Sequence, residues 1–443
     1  MKTALIALSL LVAAGAYAQT DPSHGCEQPR STIRPYASVD EAMAAADGNS
    51  KYIVPITEWQ RDEKDGSISF TAEYVYPAAW LNRQVLLRIG GASGGYEVTV
   101  NGAQTGHTTN GTVQTEFNLT RKSKQGLNTL TVTFPANNAT RPLHDTGIVW
   151  LGKAEIISQP TIRVRDIDLS TRLNDSGDGI AEIGIIVKTD ALNPKSTRIY
   201  YELLAPDTTR LAYGHKEMTL GMRGEDTVKF STIVPQKWLW SAENPALVRL
   251  VIRNMTEGRY TENIVVPAGL RAVENRDGKL TVNGRETTLF VKEVDPTVSA
   301  QELAELKAEK YNAVTFAAGE APQSLYASCD AAGIYVIPQT AIDTSKGADS
   351  IKRGGNPSND PEWQQEYLAR TAEMYHTSKP HASVVAFSLG NGITNGINTY
   401  ESYLMLKGLE HDRPIIYNGA SKEWNNDCLL YTSPSPRDRT RSR

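Results

Sequence analysis

A change in hydrophobic period near Gly278 constrains the fold of this chain more than any other sequence feature. Before Gly278, short apolar runs are separated by turn signals, a pattern typical of strands in antiparallel sheets. After it, strand-like runs alternate with segments whose apolar residues recur at helical spacing. Strands that alternate with helices form parallel sheets. We therefore predict a multidomain chain in which all-β domains are followed by a partial (β/α)8 TIM barrel.

The β-rich part divides into two predicted sandwiches. In the first, residues 19–159, the alternating run Tyr96–Val100 leads into Asn101-Gly102, the strongest sequence signal for a two-residue hairpin. We predict an all-β, jelly-roll-like sandwich for this block. The second block, residues 160–274, is predicted to be an immunoglobulin-like β-sandwich. Its strand-like runs are Ile183–Val187, Arg198–Leu204, Thr227–Val234 and Ala246–Ile252.

Residues 275–427 are predicted to be the barrel part. The 150 residues from Gly278 to Asp427 leave room for about five of the eight strand–helix units of a complete barrel. An open set of five units leaves a strand edge unpaired and half of the core uncovered. We therefore expect residues 278–427 to be unstable when expressed alone, and the sandwiches to fold.

Composition and charge exclude several classes of function. The net charge of the 443-residue chain is −4, and no basic cluster is interleaved with aromatic residues, so we expect no nucleic-acid partner. Beyond the N-terminus there is no run of 18 or more apolar residues, so we expect no membrane span. No His, Cys or Asp cluster has the spacing of a metal site, and no glycine-rich phosphate loop follows a strand. We predict neither a metal nor another cofactor.

The N-terminal segment, residues 1–18, has the three parts of a signal peptide. Lys2 supplies the positive charge, Ala4–Ala14 the apolar stretch and Ala16-Tyr17-Ala18 the small residues of a cleavage site. The segment is too short to span a membrane as a helix, and Cys26 lies too far from it to be a lipid-modified cysteine. We therefore expect an exported protein, periplasmic or secreted.

The three cysteines give no disulfide framework. Cys26, Cys329 and Cys428 are widely spaced, although export would permit a disulfide. Cys329 lies in an apolar helical stretch, so it is predicted to be a small residue of the core.

The last 16 residues, 428–443, differ abruptly in composition from the rest of the chain. One back-translation of Cys428–Asp438 resembles, base for base, a transposase adapter used to prepare sequencing libraries. The alternative is a low-complexity basic tail. We interpret the segment as an adapter-derived artefact and expect the native sequence to end near Asp427, so that function resides in residues 19–427.

Five short motifs follow one another along the chain. They are Val98–Gly102 with Gly106, Thr146-Gly147-Ile148, Trp238–Pro245, Ala268–Arg271 and Val282-Asn283-Gly284. In this order and at these intervals they resemble the motifs of glycoside hydrolase family 2, the family of β-galactosidases, β-glucuronidases and β-mannosidases. The resemblance extends over residues 50–427. It implies a β-galactosidase-like protein of carbohydrate metabolism, whose partner is a glycan or glycoside.

The family resemblance also locates the position of the catalytic acid. Ser388–Gly392 is similar to the Ser-Leu-Gly-Asn-Glu strand end whose glutamate is the general acid/base of the family, but position 392 is glycine. A glycosidase of this type needs one carboxyl group to protonate the leaving oxygen and a second on the other side of the bond. Gly392 cannot supply the first. The nucleophilic glutamate of the family lies on a later strand, beyond Asp427.

The other predicted strand ends have also lost polar residues of the family. The first ends in Val291–Pro296 in place of Arg-Gly-Val-Asn-x-His, and the second, Asn312–Pro322, lacks the family's Arg and His. At the third, Pro338-Gln339 replaces Asp-Glu. Because barrel active sites lie at the C-terminal ends of the strands, these losses indicate divergence. A single sequencing error at codon 392 would not explain them.

Four residues remain as candidates for substrate binding. Glu293, Asp295 and Glu320 lie near predicted strand ends and could face the barrel mouth. The alternative for these three is that they are solvated loop carboxylates. Asn391, whose counterpart in the family contacts the sugar, is retained, and it either binds a hydroxyl group or caps the turn.

Three functions are consistent with the sequence. The first, which we favour, is a catalytically inactive relative that binds glycan. The second is an active O-glycosyl hydrolase with a substituted acid/base, or one whose substrate has a leaving group that needs no proton. The third is a protein-interaction module. Trp59 and Trp80 are candidates for an aromatic sugar-binding platform on the first sandwich, although tryptophan in a sandwich is more often a core residue.

Overall fold

The structure is a computed structural model. It describes residues 23–44, 49–136, 143, 149–276, 278–295, 297–316, 323–344, 356–417, 419, 426–427 and 431–432. The predicted signal peptide, Glu320, Thr146-Gly147-Ile148 and most of residues 428–443 lie outside these ranges.

The described residues of the first sandwich form a six-stranded and a four-stranded antiparallel sheet. The strands are β1 (Ser23–His24), β2 (Ile53–Ile56), β3 (Gln60–Lys64), β4 (Ser67–Tyr76), β5 (Arg83–Ile89), β6 (Tyr96–Val100), β7 (Ala103–Thr108), β8 (Thr115–Asn118), β9 (Gly126–Phe134) and β10 (Ala154–Pro160), and a short helix, α1, spans Val39–Ala44. The strand orders are β1-β7-β6-β9-β4-β3 and β2-β10-β5-β8. Apolar side chains of both sheets pack in one core, which confirms an all-β sandwich.

The hairpin predicted at Asn101-Gly102 is confirmed. Val100 and Ala103 pair as the last residue of β6 and the first of β7. Asn101 and Gly102 have φ angles of +52° and +77°, the left-handed values that a type I′ turn requires at both central positions. Asn and Gly tolerate these values best. The two residues therefore fix both the turn and the start of the β6–β7 ladder.

The two tryptophans proposed for a sugar-binding platform have different surroundings. Trp80 is 1% exposed, and its Nε1 donates a hydrogen bond to the carbonyl oxygen of Lys51 (3.1 Å). Trp59 is half-buried and packs edge-on against Phe70. The platform hypothesis is therefore wrong for Trp80, whose ring belongs to the core between the sheets.

Residues 162–268, all of them described, form a second sandwich of seven antiparallel strands. The strands are β11 (Ile162–Leu173), β12 (Gly179–Thr189), β13 (Lys195–Leu204), β14 (Arg210–Leu220), β15 (Glu225–Val234), β16 (Val248–Thr256) and β17 (Arg259–Ala268). Their orders are β11-β12-β15 and β14-β13-β16-β17, with an apolar core between the two sheets. The four predicted strands correspond to β12, β13, β15 and β16. Two antiparallel sheets of three and four strands fit the immunoglobulin-like architecture.

A small antiparallel sheet lies between the second sandwich and the barrel. It consists of β18 (Val273–Arg276), β19 (Lys279–Val282) and β20 (Arg285–Glu286). Asn283-Gly284, with φ angles of +50° and +76°, makes the turn between β19 and β20. The change of period near Gly278 therefore marks this connector, and the first parallel strand begins at Leu289.

The barrel part alternates strands and helices, as predicted. In chain order its elements are β21 (Leu289–Val294), α2 (Ala300–Ala308), β22 (Ala313–Phe316), α3 (Gln323–Ala332), β23 (Tyr335–Ile337), α4 (Gln364–Ser378), β24 (Phe387–Ser388), α5 (Ile397–Leu409), β25 (Ile415–Ile416) and β26 (Tyr431–Thr432). β21, β22 and β23 are parallel neighbours, and β24 and β25 form a second parallel pair. The parallel bridges Val336–Val384 and Gln339–Ser388 join β23 to β24. These five strands therefore form a continuous parallel arrangement that fits part of a TIM barrel.

An unpaired strand edge was predicted for the partial barrel, but β21 at this edge pairs with another strand. β26, which comes from residues 428–443, pairs in parallel with Leu289 and Phe290 of β21. An unpaired strand edge presents N–H and C=O groups that pair with an extended segment within reach. Residues 431–432 are such a segment.

Two local predictions in the barrel part are confirmed. Apolar residues at helical spacing predict a helix at Ser299–Lys310, and this helix is α2. It begins with a capping box: Ser299 Oγ accepts a hydrogen bond from the Glu302 N–H, and the Glu302 carboxylate accepts one from the Ser299 N–H. Cys329 on α3 is fully buried in the barrel core. Both features follow from local sequence patterns, which is why they could be predicted.

Trp240 and Arg271 join the second sandwich to the barrel. Trp240 is fully buried, and its Nε1 donates a hydrogen bond to the carbonyl oxygen of Asp330 (2.8 Å). Arg271 donates hydrogen bonds to the carbonyl oxygens of His381 (2.8 Å) and Val384 (2.7 Å). The two motifs that contain these residues are therefore structural, because they hold one domain against the next.

Replacing Gly269 by alanine is expected to destabilise this junction. A Cβ atom at position 269 would lie 2.1 Å from the Cβ of Ala382 and 3.1 Å from the Cγ of Trp240. Because both neighbours are buried, overpacking should lower the free energy of unfolding by about 1–3 kcal/mol. The measurement is urea denaturation of the full chain. Gly221→Ala is the control, since a Cβ there has no neighbour within 4 Å; equal effects of the two substitutions would contradict the argument.

Candidate functional site at the barrel mouth

Glu293 points toward the mouth of the barrel. Strand residues alternate between the two faces of a sheet, and Leu289 and Val291 of β21 pack in the apolar cluster on the face away from the helices. Glu293 is the next residue on that face, and it is exposed at the C-terminal end of the strand. Its partner in register on β22 is Thr315. Of the three predicted carboxylates, Glu293 therefore has the position expected of a binding residue.

A row of polar side chains continues from Glu293 across the neighbouring strand ends. Thr315 Oγ1 donates a hydrogen bond to the carbonyl oxygen of Ile337 (2.8 Å) and accepts one from Gln339 Nε2 (3.0 Å). The backbone of Gln339 also forms an isolated parallel β-bridge with Ser388. The Oε1 atom of Gln339 is buried and accepts no hydrogen bond from the described residues. Sequence analysis treated Gln339 only as a lost acidic residue and missed Thr315, whose place depends on strand register.

Gly392, which the family resemblance places at the acid/base position, has a backbone conformation that disfavours glutamate. Its φ angle is +60°, in the left-handed region. A residue with a Cβ atom pays roughly 1–2 kcal/mol in that conformation, whereas glycine does not. Position 392 therefore lacks the carboxyl group and also lacks the backbone conformation that would hold one without strain.

The Asn391 side chain lies beside Gly392 without capping the turn. Its backbone is fixed, because the Asn391 N–H donates to the carbonyl oxygen of Ile342 (2.9 Å) and its carbonyl oxygen accepts from the Thr344 N–H (3.2 Å). The side-chain amide is half-buried and forms no hydrogen bond with any residue in the described ranges. Of the two predicted roles, this arrangement fits the binding of a hydroxyl group.

Sequence analysis missed Asp343, a carboxylate residue whose backbone pairs with that of Asn391. Asp343 and Asn391 form an isolated parallel bridge, and Thr344 Oγ1 donates a hydrogen bond to the carbonyl oxygen of Gly392 (3.0 Å). Asp343 follows β23 in a segment without helical or strand periodicity. Its proximity to the Pro338-Gln339 strand end was the only signal available in the sequence.

Leu143 of the first sandwich contacts the barrel at Asp343. The carbonyl oxygen of Leu143 accepts a hydrogen bond from the Asp343 N–H (2.7 Å), and the Leu143 side chain is fully buried in the barrel core. Leu143 and the loop that contains Asp343 therefore meet at this point. No local pattern predicts such a contact between distant parts of a sequence.

Asp295 is an exposed turn residue, which fits the alternative stated for it. Its Oδ1 accepts hydrogen bonds from Thr297 Oγ1 (2.6 Å) and from the Thr297 N–H (2.8 Å). These bonds hold the pKa of Asp295 below its usual value. Asp295 therefore orders the loop that leads to α2. The third carboxylate, Glu320, lies outside the described residues.

A cleft of about 650 Å³ lies at the other end of the barrel strands. It is bounded by the second sandwich and by the segments that connect α4 to β24 and α5 to β25. Lys379 on its wall donates a hydrogen bond to Asp166 Oδ2 (2.8 Å) and also pairs with Asp168. The barrel residues that line this cleft come just before β24 and β25, at the N-terminal ends of these strands. The cleft is therefore separate from the C-terminal strand ends, where barrel enzymes perform catalysis.

The mouth offers carboxylate, amide and hydroxyl groups, all of which form hydrogen bonds with sugar hydroxyls. Among the described residues, no three His, Cys, Asp or Glu side chains are placed to hold a metal ion. In the same ranges no helix is both long and apolar enough to cross a membrane.

Models of known protein families match both the second sandwich and the barrel part of this chain. The family model described as "Glycosyl hydrolases family 2" matches residues 162–271, and the one described as "Glycosyl hydrolases family 2, TIM barrel domain" matches residues 277–435. Together the two matches cover more than half of the chain. The chain belongs to glycoside hydrolase family 2. The resemblance inferred from the five motifs is thereby confirmed.

Two curated β-galactosidases are similar to this family 2 chain over most of its length. The enzyme of Psychromonas ingrahamii is 26% identical over 377 residues, which are 80% of this chain and 36% of the relative. The enzyme of Vibrio vulnificus is 27% identical over 367 residues, which are 77% of this chain and 35% of the relative. The chain therefore spans about a third of the length of the curated relatives it matches.

A solved structure of a glycosyl hydrolase family 2 member from Bacteroides cellulosilyticus has a similar fold. Its TM-score is 0.70 at 15% sequence identity, and the match covers 84% of this chain and 51% of that one. At this identity the likeness concerns the fold alone. With the family matches, it fits a multidomain fold that has all-β sandwich and TIM-barrel parts.

Proposed function

We propose that this protein is an exported family 2 relative that binds a β-galactoside-like glycan at its barrel mouth without hydrolysing it. The observation that carries the proposal is Gly392 at the acid/base position, with a φ angle that disfavours glutamate. Protonation of the leaving group contributes about 10²–10⁴-fold to such a reaction, and glycosidases use two carboxyl groups for it. Export is supported by the signal-peptide pattern of residues 1–18.

Binding is supported by the polar atoms that the mouth retains. The Asn391 amide has no hydrogen-bond partner among the described residues, and Gln339 Oε1 is a buried acceptor without a described donor. A buried polar atom without a partner costs about 1–3 kcal/mol. A sugar hydroxyl that donates to Gln339 would remove this cost, and Glu293 could accept a hydrogen bond from another hydroxyl at the exposed rim.

Binding can be measured by calorimetric titration of the full chain with isopropyl β-D-thiogalactoside, which resists hydrolysis. We expect saturable binding that Asn391→Ala weakens about tenfold, because one hydrogen bond to the ligand contributes about 1.4 kcal/mol. Gln301→Ala, which removes an exposed amide on α2, is the control and should leave the affinity unchanged. Equal affinities of the wild type and Asn391→Ala would remove the support for this site.

A second candidate function is hydrolysis with Asp343 in place of the missing acid. It is favoured by one observation, the parallel bridge that sets Asp343 beside Asn391 and next to Gly392. In this case the Asp343 carboxyl group would protonate the leaving oxygen from the neighbouring strand end.

Two substrates separate the two candidates. Phenyl β-D-galactoside needs a proton on its leaving oxygen, whereas 2,4-dinitrophenyl β-D-galactoside does not. Under our proposal neither is hydrolysed faster than in buffer. Hydrolysis of the phenyl galactoside that is lost in Asp343→Asn would replace the proposal with the second candidate. Hydrolysis of the dinitrophenyl galactoside alone would reveal a nucleophile that works without an acid, and it would also contradict the proposal.

A further inference from the structure

Aromatic and charged side chains lie close together on the outer face of the four-stranded sheet in the second sandwich. Cross-strand pairing sets His215, Tyr200 and Arg253 in one row on β14, β13 and β16. The next row contains Arg198 and, through the pairing of β16 with β17, Tyr260. We call this region the Tyr200 surface; its members are Arg198, Tyr200, Tyr213, His215, Arg253 and Tyr260.

The rings of the Tyr200 surface are open to solvent. The ring of Tyr200 lies 5.1 Å from that of His215 and 5.7 Å from that of Tyr260, measured between centroids. Tyr213 is 74% exposed and Tyr260 48% exposed. An exposed tyrosine presents an apolar ring face together with a hydroxyl group in water. Such a surface suits a ligand that has apolar faces and hydroxyl-bearing edges, which is the chemistry of a pyranose ring.

Arg253 gives the surface a positive charge that forms no ion pair among the described residues. Its guanidinium carbon lies 5.6 Å from the ring centroid of Tyr200 and 5.2 Å from that of Tyr260. The neighbouring Arg198 is paired with Glu217. No carboxylate in the part of the chain that the structure describes forms an ion pair with Arg253. The planar guanidinium is therefore held by two rings and remains available to a carboxylate or sulfate group.

We propose that the Tyr200 surface is a second carbohydrate site that binds an anionic glycan, separate from the barrel mouth. The tyrosine and histidine rings stack against sugar rings, and Arg253 binds a carboxylate or sulfate group of the glycan. Neighbouring strands lie about 4.8 Å apart, so the row from His215 to Arg253 spans about 10 Å. This length accommodates about two sugar rings.

A glycan fits this surface better than a protein partner does. Charged groups stand between the rings, whereas the centre of a protein interface is depleted in charged residues. The sheet is also bounded beyond Arg253, where Tyr36 pairs with Asn263 at the edge of β17 and α1 packs against β17. The remaining strip is therefore narrow and mixed in polarity.

The proposal is tested by native gel electrophoresis of the full chain in gels that contain polygalacturonate or a neutral galactan. Mobility is compared with a gel that contains no polysaccharide, which corrects for altered charge. We expect retardation by polygalacturonate only. The apparent affinity should fall about tenfold in Arg253→Gln and in Tyr260→Ala. Arg276→Gln, which removes an exposed arginine of the connector, is the charge-matched control and should behave as the wild type.

Three results would overturn the proposal. They are an absence of retardation by polygalacturonate, equal retardation by the neutral galactan, and unchanged retardation of both site variants. A gel-filtration shift of the wild type toward a dimer that Arg253→Gln abolishes would assign the surface to a protein interface. The outcome is independent of the barrel mouth, because Asn391→Ala should retain full retardation by polygalacturonate even if it loses galactoside binding.

Discussion

Replacing Glu116 by alanine is expected to lower the free energy of unfolding by about 3–5 kcal/mol. The Glu116 carboxylate is bound by the Nε atoms of Arg30 and Arg88, both at 2.7 Å, and all three side chains are 5% exposed or less. Without the carboxylate, two guanidinium groups of like charge remain buried beside each other. Removing one member of a buried ion pair is costly for this reason, even where the intact pair contributes little net stability.

The measurement is urea denaturation of the wild type and Glu116→Ala at neutral pH. The control is Glu63→Ala, because Glu63 pairs with Arg61 at the surface with both side chains about half exposed; such pairs contribute about 0–1 kcal/mol. Similar losses in both variants would contradict the argument.

The stabilisation by Glu116 should also depend on pH in the acid range. Burial alone would raise its pKa, but the charges of Arg30 and Arg88 outweigh burial and lower the pKa to about 2, from 4.5. The pKa of Glu116 is lower in the folded protein than in the unfolded chain. Its contribution to the free energy of unfolding is therefore present above about pH 4.5 and is lost as the pH falls toward 2. The difference in stability between wild type and Glu116→Ala should therefore shrink over that window.

Replacing Glu373 by glutamine is expected to stabilise the protein at alkaline pH. Glu373 on α4 is buried, and its Oε2 accepts a hydrogen bond from Asn110 Nδ2 of the first sandwich (2.5 Å). Burial raises the pKa of Glu373 to about 8, although the Asn110 bond and the charge of Arg370 act in the opposite direction. The carboxyl group is therefore protonated in the folded protein at neutral pH.

The sign of the pH effect follows from this raised pKa. The stabilisation is complete below about pH 4.5, where the unfolded chain also binds the proton, and it is lost as the pH rises to about 8. Over that window the wild type should lose up to roughly 1.4 kcal/mol per pH unit. Glu373→Gln remains neutral and can keep the bond to Asn110, so its stability should vary less.

The experiment is urea denaturation at several pH values between 4.5 and 8.5. Glu362→Gln, an exposed glutamate just before α4, serves as the control and should follow the wild-type pH dependence. If the stability of Glu373→Gln ran parallel to that of the wild type, Glu373 would be charged in the folded protein and the interpretation would be wrong.

Strands in which apolar and polar residues alternate regularly could be predicted from the sequence. Strands β11 and β14 show why strands without this alternation could not. β11 contains Arg163, Arg165 and Asp166, which are buried at the junction with the first sandwich and interrupt the alternation. β14 forms the edge of its sheet, and most of its residues are exposed, so it needs few apolar side chains. In both cases the deciding contacts lie outside the segment itself.

In the candidate site, too, local patterns could be predicted and long-range contacts could not. Asn391 and Gly392 could be located because a short motif at a strand end carries the family resemblance. Asp343 and Leu143 could not, because their place depends on a bridge between two loops and on a contact between domains. Glu293 could be predicted near a strand end because alternation along a strand is a local property.

The contact between Leu143 and Asp343 also bears on the order in which this protein is made. The ribosome releases the first sandwich before the strand ends of the barrel exist, and domains of a growing chain fold as units in that order. Leu143 is then already synthesised when Asp343 emerges. A chain from which the first sandwich was deleted would still synthesise every barrel strand, but it would have no surface on which to complete the mouth.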